Sequence, residues 1–222
     1  PITWARGEVS RAAITFRLAA DAVETLAPKA IDLLHDQRAK DYVAHIARFP
    51  IGVVLAIVPY NWPYNLTAHK VAPALAAGNS VVVKPSSLAP LSTLSLIRLI
   101  HEAGCPPGWV NAVVVPSPIA QKMALDERVA KVSFTGSPAV GWMLKEKLPT
   151  KRVTLELGGD AAAIIAEDAD LDWAIPRIAA GAYGYAGQVC IAVQHVWAHR
   201  SRYDEAKHEL IKATIDCPSG DP

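Results

Sequence analysis

Ile51-Gly52-Val53-Val54-Leu55-Ala56-Ile57-Val58 is short and almost wholly apolar, and its reading decides the fold. Such a run suits a β-strand buried on both faces. Pro59-Tyr60-Asn61-Trp62-Pro63 breaks it, Leu66–Ala77 follows as a helix, and Gly78-Asn79 closes that helix. Ser80–Lys84 is then a second buried strand, ended by Pro85-Ser86-Ser87. Strand, helix and strand in this order form one βαβ unit.

The alternation continues downstream. Helices are predicted over Leu91–Ala103, Ile119–Leu125, Val140–Leu148, Leu171–Tyr185 and Arg202–Thr214. Strands are predicted over Val110–Val115, Val129–Thr135, Arg152–Leu157, Ala161–Ile165 and Val193–His199. Upstream, Arg11–Leu26 carries Ala12, Phe16, Ala19, Ala20 and Val23 at helical spacing, and Pro28 ends it. Ile31–Phe49 is mixed and polar, and reads as an extended strand pair that another subunit covers. Regular alternation with short joints means an α/β fold, a largely parallel Rossmann-like sheet with helices on both faces. Ligands in such folds bind at the carboxyl ends of strands. The residues that follow strands there are Asn61, Lys84, Gly136 and Glu156.

Composition narrows the function classes. The chain has 222 residues, enough for one large domain or one and a half small ones. A net charge of +1 implies neither a nucleic-acid nor an acidic-membrane partner. Cys105, Cys190 and Cys217 are too far apart for a disulfide framework or a zinc site, so no metal is expected and a reducing, cytoplasmic setting is the default. No apolar run is long enough to span a bilayer, and Pro1-Ile2-Thr3-Trp4 lacks the order of a signal peptide.

Taken singly, each candidate has a plain alternative. Gly136-Ser137-Pro138-Ala139-Val140-Gly141 follows a strand and opens a helix, which suits phosphate binding or an ordinary tight turn. Lys84 is a ligand or a strand-end lysine that snorkels. Glu156 interrupts an apolar strand as a general base or a structural acid. Asn61 is a rigidly held amide donor or a turn residue. Cys190 lies at a helix–strand junction, as a nucleophile or a small buried hydrophobe.

Together, Pro59-Tyr60-Asn61-Trp62-Pro63, Gly78-Asn79-Ser80-Val81-Val82-Val83-Lys84-Pro85, Phe134-Thr135-Gly136-Ser137, Leu155-Glu156-Leu157-Gly158-Gly159 and Gly187-Gln188-Val189-Cys190 resemble the aldehyde dehydrogenase superfamily in order and spacing. The resemblance implies a cofactor-binding domain over 1–157, with an oligomerisation segment at about 31–50, and the start of an α/β catalytic domain over 158–222. It implies oxidation of an aldehyde to a carboxylic acid. Cys190 would attack the aldehyde, Asn61 and the Cys190 N–H would form the oxyanion hole, and hydride would pass to a nicotinamide, leaving a thioester. Glu156 would activate the hydrolytic water. Lys84 would bind the adenosine ribose and Gly136, Ser137 and Gly141 would face the pyrophosphate, with Leu157, Pro59 and Trp62 bordering the cofactor. Ser87 stands where many NAD-preferring relatives carry a glutamate that repels a 2′-phosphate, so NADP or NAD is expected, with NADP accepted. A homo-dimer or homo-tetramer is also implied.

Two departures from the family pattern stand out. Asp160 replaces a usual Lys or Asn, and His195 replaces a common arginine. The Glu-Ile-Phe-Gly-Pro motif and the C-terminal strand of the family fall outside these residues, so the chain is expected to be a portion of a longer one. A cysteine-dependent esterase or acyl-transfer protein, and a non-catalytic nucleotide-binding fragment, are the competing readings. By overall texture the succinate-semialdehyde, lactaldehyde and glyceraldehyde-phosphate branches are nearest.

Overall fold

Val54, Leu55 and Ala56 are each at most 4% exposed, so consecutive residues are covered whichever face they point to. That is the signature of a central strand of a parallel sheet. The structure, a computed structural model, describes residues 2–33 and 35–220. Pro1, Leu34, Asp221 and Pro222, at the edges of the two expected domains and inside the 31–50 segment, lie outside the described residues.

The described chain divides into two units, Pro1–Glu156 and Leu157–Pro222. In chain order the first holds α1 (Ile2–Asp21), β1 (Lys29–Ile31), β2 (Ala44–Ile46), β3 (Val53–Ile57), α2 (Pro63–Ala76), β4 (Ser80–Lys84), α3 (Pro90–Glu102), β5 (Val110–Ala112), α4 (Ser117–Leu125), β6 (Val129–Thr135), α5 (Pro138–Lys147) and β7 (Arg152–Glu156). Strands β3 to β7 make one parallel sheet of order β5-β4-β3-β6-β7. The chain winds outward from β3 through β4 to β5, then returns to β6 on the other side and moves outward to β7. Parallel crossovers are right-handed, so the two directions of winding place helices on both faces, and the expected Rossmann-like architecture stands. Its core is Ala56, Val58, Val71, Val81, Val83, Ile97 and Val110, from β3, α2, β4, α3 and β5.

The N-terminal helix starts well before the expected Arg11 and ends at Asp21, continued by a 3-10 turn over Ala22–Leu26. It packs on α2 and α3 through Ala12, Phe16, Ala68 and Leu96. It also caps α2. Trp62 precedes that helix in the left-handed region (φ 47°) and supplies no side-chain cap. Glu8 Oε1 instead accepts from the Tyr64 and Asn65 N–H groups at 2.6 and 2.9 Å, a carboxylate on the positive end of a helix. The upstream strand pair is β1 with β2, antiparallel, with Ala30 opposite His45; its first strand starts at Lys29, before the expected Ile31.

The second unit holds β8 (Ala161–Ile165), α6 (Leu171–Tyr183), β9 (Val193–Ala198) and α7 (Tyr203–Ile215), with β8 and β9 parallel. Its own core is Ile165, Leu171, Ile175, Ile178 and Ala206. The α6 helix stops two residues before the expected Tyr185. Gly184 turns extended (φ -56°, ψ 136°) and ends the helix, and the left-handed Tyr185 (φ 55°) and Ala186 (φ 54°) that follow do not resume it. No helix among the described residues is long and apolar enough to cross a membrane.

Candidate active site

The sheet order makes β3 and β6 the point where winding reverses, and a crevice opens outside the carboxyl ends of strands at such a point. Pro59, Asn61 and Trp62 follow β3, Lys84 ends β4 with Ser87 just beyond, Gly136 and Ser137 follow β6, and Glu156 ends β7. These four strands are consecutive neighbours, so the residues share one rim spanning roughly 15 Å.

Each is held differently. Lys84 is 9% exposed, and burial lowers the pKa of its ammonium. Its carbonyl accepts from the Val58 N–H at 3.1 Å, which locks the end of β4 to that of β3. Asn61 is half-buried, and the left-handed Trp62 beside it turns the chain sharply into α2. A non-glycine residue there stores strain, a feature that clusters at functional sites. Trp4 packs edge-on against the Trp62 indole, centroids 5.8 Å apart. Gly136 has an internal reason to lack a side chain: a Cβ there would lie 2.5 Å from Cζ of Phe134. Its N–H donates to the Glu156 carbonyl at 3.0 Å. Ser137 is exposed just ahead of α5, and Gly141 is buried within that helix. The Glu156 and Ser87 side chains are exposed.

Leu157 and Cys190 belong to the second unit. Cys190 is an exposed free thiol, which removes the reading of it as a buried hydrophobe. Tyr185, Ala186 and Gly187 are all left-handed. The turn after them is closed by Gln188 N–H to the Tyr185 carbonyl and Ala192 N–H to the Val189 carbonyl, each at 3.0 Å. Ala192 anchors it, 2% exposed.

Lys70 escaped the sequence reading. It is 6% exposed, and its Nζ donates to Ser133 Oγ at 3.2 Å. Burial lowers its pKa to about 8, with the charge of Lys131 adding to the shift and that of Glu156 opposing it. The signal was present: Lys70 shares the Thr67, Val71 and Ala74 stripe of α2, where apolar residues face the core. A cavity of about 660 Å³ opens beside it, over the first halves of β6 and β7, with Arg48, Lys131, Ser133, Arg152 and Thr154 in its wall. None of the expected site residues lines it.

The Lys70 charge costs stability while both states hold the proton. Its folded pKa lies below the unfolded value of 10.5. Between these two values the unfolded chain binds more protons, so stability rises with pH there. Lys70→Met is therefore expected to be the more stable relative to wild type near neutral pH, and that advantage shrinks by about 2 kcal/mol between about pH 7 and about pH 9.5. Urea midpoints of both proteins at the two pH values check this.

The first unit carries a rim of strand ends at the reversal of an α/β sheet, and the second carries an exposed thiol on a turn. Comparison with known proteins gives the family. The model of the aldehyde dehydrogenase family matches residues 1–222, and the chain belongs to that family. It is 37% identical over 218 residues to the 3-sulfolactaldehyde dehydrogenase of Priestia aryabhattai, covering 98% of this chain and 46% of that protein. It is 39% identical over 210 residues to the lactaldehyde dehydrogenase of Methanocaldococcus jannaschii, covering 92% and 44%. The NADP-dependent glyceraldehyde-3-phosphate dehydrogenase of Bacillus halodurans C-125, solved with NADP, superposes with a TM-score of 0.93 at 34% identity, covering 100% of this chain and 47% of that one. The chain thus spans about half the length of the curated relatives it matches.

Proposed function

We propose that the protein oxidises a short aldehyde to a carboxylic acid with NADP or NAD, through a thioester on Cys190. The observation that carries this is the exposed Cys190 thiol on a turn held by left-handed backbone, in a chain of this family. Once its proton has passed to solvent, the thiolate Sγ attacks the carbonyl carbon and an S–C bond forms. The Asn61 amide and the Cys190 N–H donate to the oxygen as it gains negative charge, where preorganised donors have their largest effect. The nicotinamide cofactor, when bound, supplies the hydride acceptor. Glu156 then takes a proton from water as that water adds to the thioester. The C–S bond breaks, the thiolate returns and the acid leaves.

The residues present fit the cofactor. Lys84 ends a buried strand beside the exposed Ser87, and Ser137 opens a helix of 10 residues whose first N–H groups favour a diphosphate. We assign Lys84 and Ser87 to the adenosine ribose, and Gly136, Ser137 and Gly141 to the diphosphate side. Pro59, Trp62 and Leu157 border the cofactor. The domain division at about residue 157 follows from the same reading. With serine at position 87 no carboxylate opposes a 2′-phosphate. Ser87→Glu is expected to lower kcat/KM for NADP by about 10- to 100-fold and leave NAD nearly unchanged, since like charges meeting at an exposed site cost about 1.4–2.7 kcal/mol. Initial rates with both cofactors check this.

For the substrate, the three relatives above are named for 3-sulfolactaldehyde, lactaldehyde and glyceraldehyde 3-phosphate, all short 2-hydroxyaldehydes. That supports the same class here. Exposed Tyr42, Val43, Ile46 and Phe49 around β2 support a homo-dimer or homo-tetramer, and the free thiols support a cytoplasmic setting. The test is NAD(P)H formation by the complete protein over a panel of 2-hydroxy, acidic and aromatic aldehydes. Turnover favouring the 2-hydroxy set supports the reading. No reduction of either cofactor by any aldehyde overturns it.

A further inference from the structure

The Cys190 turn leans on another loop of its own unit. Gly159 passes so close that any side chain there would drive its Cβ into the Cys190 carbonyl oxygen. The next residue, Asp160, accepts at Oδ1 from His195 Nε2 at 2.9 Å. A bulge delivers His195 to that contact. Ala161 pairs with Val193 but Ala162 pairs with His195, which leaves Gln194 as the extra residue on β9. Bulges of this kind re-aim side chains next to the break in the ladder. The His195 ring is further steadied by Trp197, two positions along the strand, with centroids 6.5 Å apart.

These contacts close a ring. Gly159 touches the Cys190 carbonyl, Asp160 follows it in the chain and meets His195, and β9 leads from His195 back to Cys190. Asp160 and His195 are also two positions at which the resemblance to the family implies other residue types, and they meet in one contact.

We propose that Asp160 and His195 form a positioning clamp for the nucleophile turn. The clamp keeps Gly159 seated against the Cys190 carbonyl, and so holds the backbone from Cys190 to Ala192, with its N–H groups, in one conformation. Neither residue touches the reacting atoms. The contact does not need a charged imidazole, because a neutral ring with its proton on Nε2 still donates to Asp160. The catalytic consequence rests on the reading of Cys190 as the nucleophile; the clamp does not. Both side chains are more than half exposed, at 53% for His195 and 76% for Asp160, so the effect is a severalfold loosening of the turn rather than its unfolding.

Hydrogen exchange read by mass spectrometry on the complete protein, without aldehyde or cofactor, tests this. Asp160→Ala and His195→Ala are each expected to speed exchange in the peptide covering 187–192 by about two- to fivefold. The double variant is expected to be no faster than either single one, because both remove the same contact. His195→Gln, whose amide can donate to Asp160, is expected to restore most of the protection. Exchange in α7 stays unchanged throughout. Unchanged exchange at 187–192, additive effects, or equal acceleration in α7 would overturn the clamp. If Cys190 is the nucleophile, the alanine variants also lower kcat by a similar factor with the cofactor KM preserved. A clamp supported by exchange, in a protein whose aldehyde oxidation survives Cys190→Ala, leaves the clamp standing and removes the proposed function instead.

Discussion

Cys190→Ala is expected to lower aldehyde-dependent NAD(P)H formation by at least about 10⁴-fold, the scale on which removal of a covalent nucleophile acts. Alanine retains the Cβ and the backbone N–H, so the turn and its hydrogen bonds persist while the attacking atom is lost. Cys190 is exposed, and substitution at such a site leaves stability within about 0.5 kcal/mol. A matching thermal midpoint would therefore separate lost chemistry from lost folding. Cys105→Ala and Cys217→Ala serve as controls and are expected to retain activity, since neither stands at a strand end of the rim nor on the nucleophile turn. Steady-state rates of the three variants check the prediction.

Glu156→Gln is expected to lower kcat by about 10²- to 10⁴-fold, the usual contribution of a general base. The substitution keeps size and polarity and removes only the capacity to take a proton. Glu156 is the last residue of β7, its backbone fixed by pairing with Thr135 and by the Gly136 N–H on its carbonyl. Its side chain is exposed, so the amide introduces no buried unsatisfied group. On the proposed role, in which Glu156 acts only in the hydrolytic half of the reaction, the variant should still form NAD(P)H in a first turnover and then stall. Rapid mixing reads this as a burst followed by a slow phase. A uniform loss of both phases would place the role of Glu156 before hydride transfer instead.

Much of the frame was legible because the physics behind it is local. Ser80–Lys84 and Val129–Thr135 occupy the residues expected of them, since a strand packed within a parallel sheet needs only a short apolar run between turn residues. The positions after those strands were legible for the same reason. What escaped depends on distant or non-local contacts. The cap on α2 comes from Glu8, 56 residues before Tyr64, and nothing around Pro63 announces it. The early end of α6 rests on Gly184, whose extended backbone (φ -56°, ψ 136°) stops the helix at Tyr183; the left-handed Tyr185 and Ala186 beyond it are residue types that do not ordinarily mark such a turn. Lys70 was hidden by its charge, since a lysine in an otherwise apolar stripe is ordinarily read as a solvated interruption. Asp160 and His195 were each visible as departures, but their contact depends on a bulge at Gln194 that a strand pattern does not reveal. Gly136 was read for phosphate approach, and the structure adds a second requirement, room for the Phe134 ring.

The covalent role of Cys190 is the centre of this account, and trapping its intermediate tests it most directly. The Glu156→Gln variant, mixed with a 2-hydroxyaldehyde and NADP or NAD and quenched in acid, should carry an added mass equal to the aldehyde less two hydrogens, located on Cys190 by peptide mapping. A full burst of NAD(P)H with no adduct, or an adduct on Cys105 or Cys217, would contradict it.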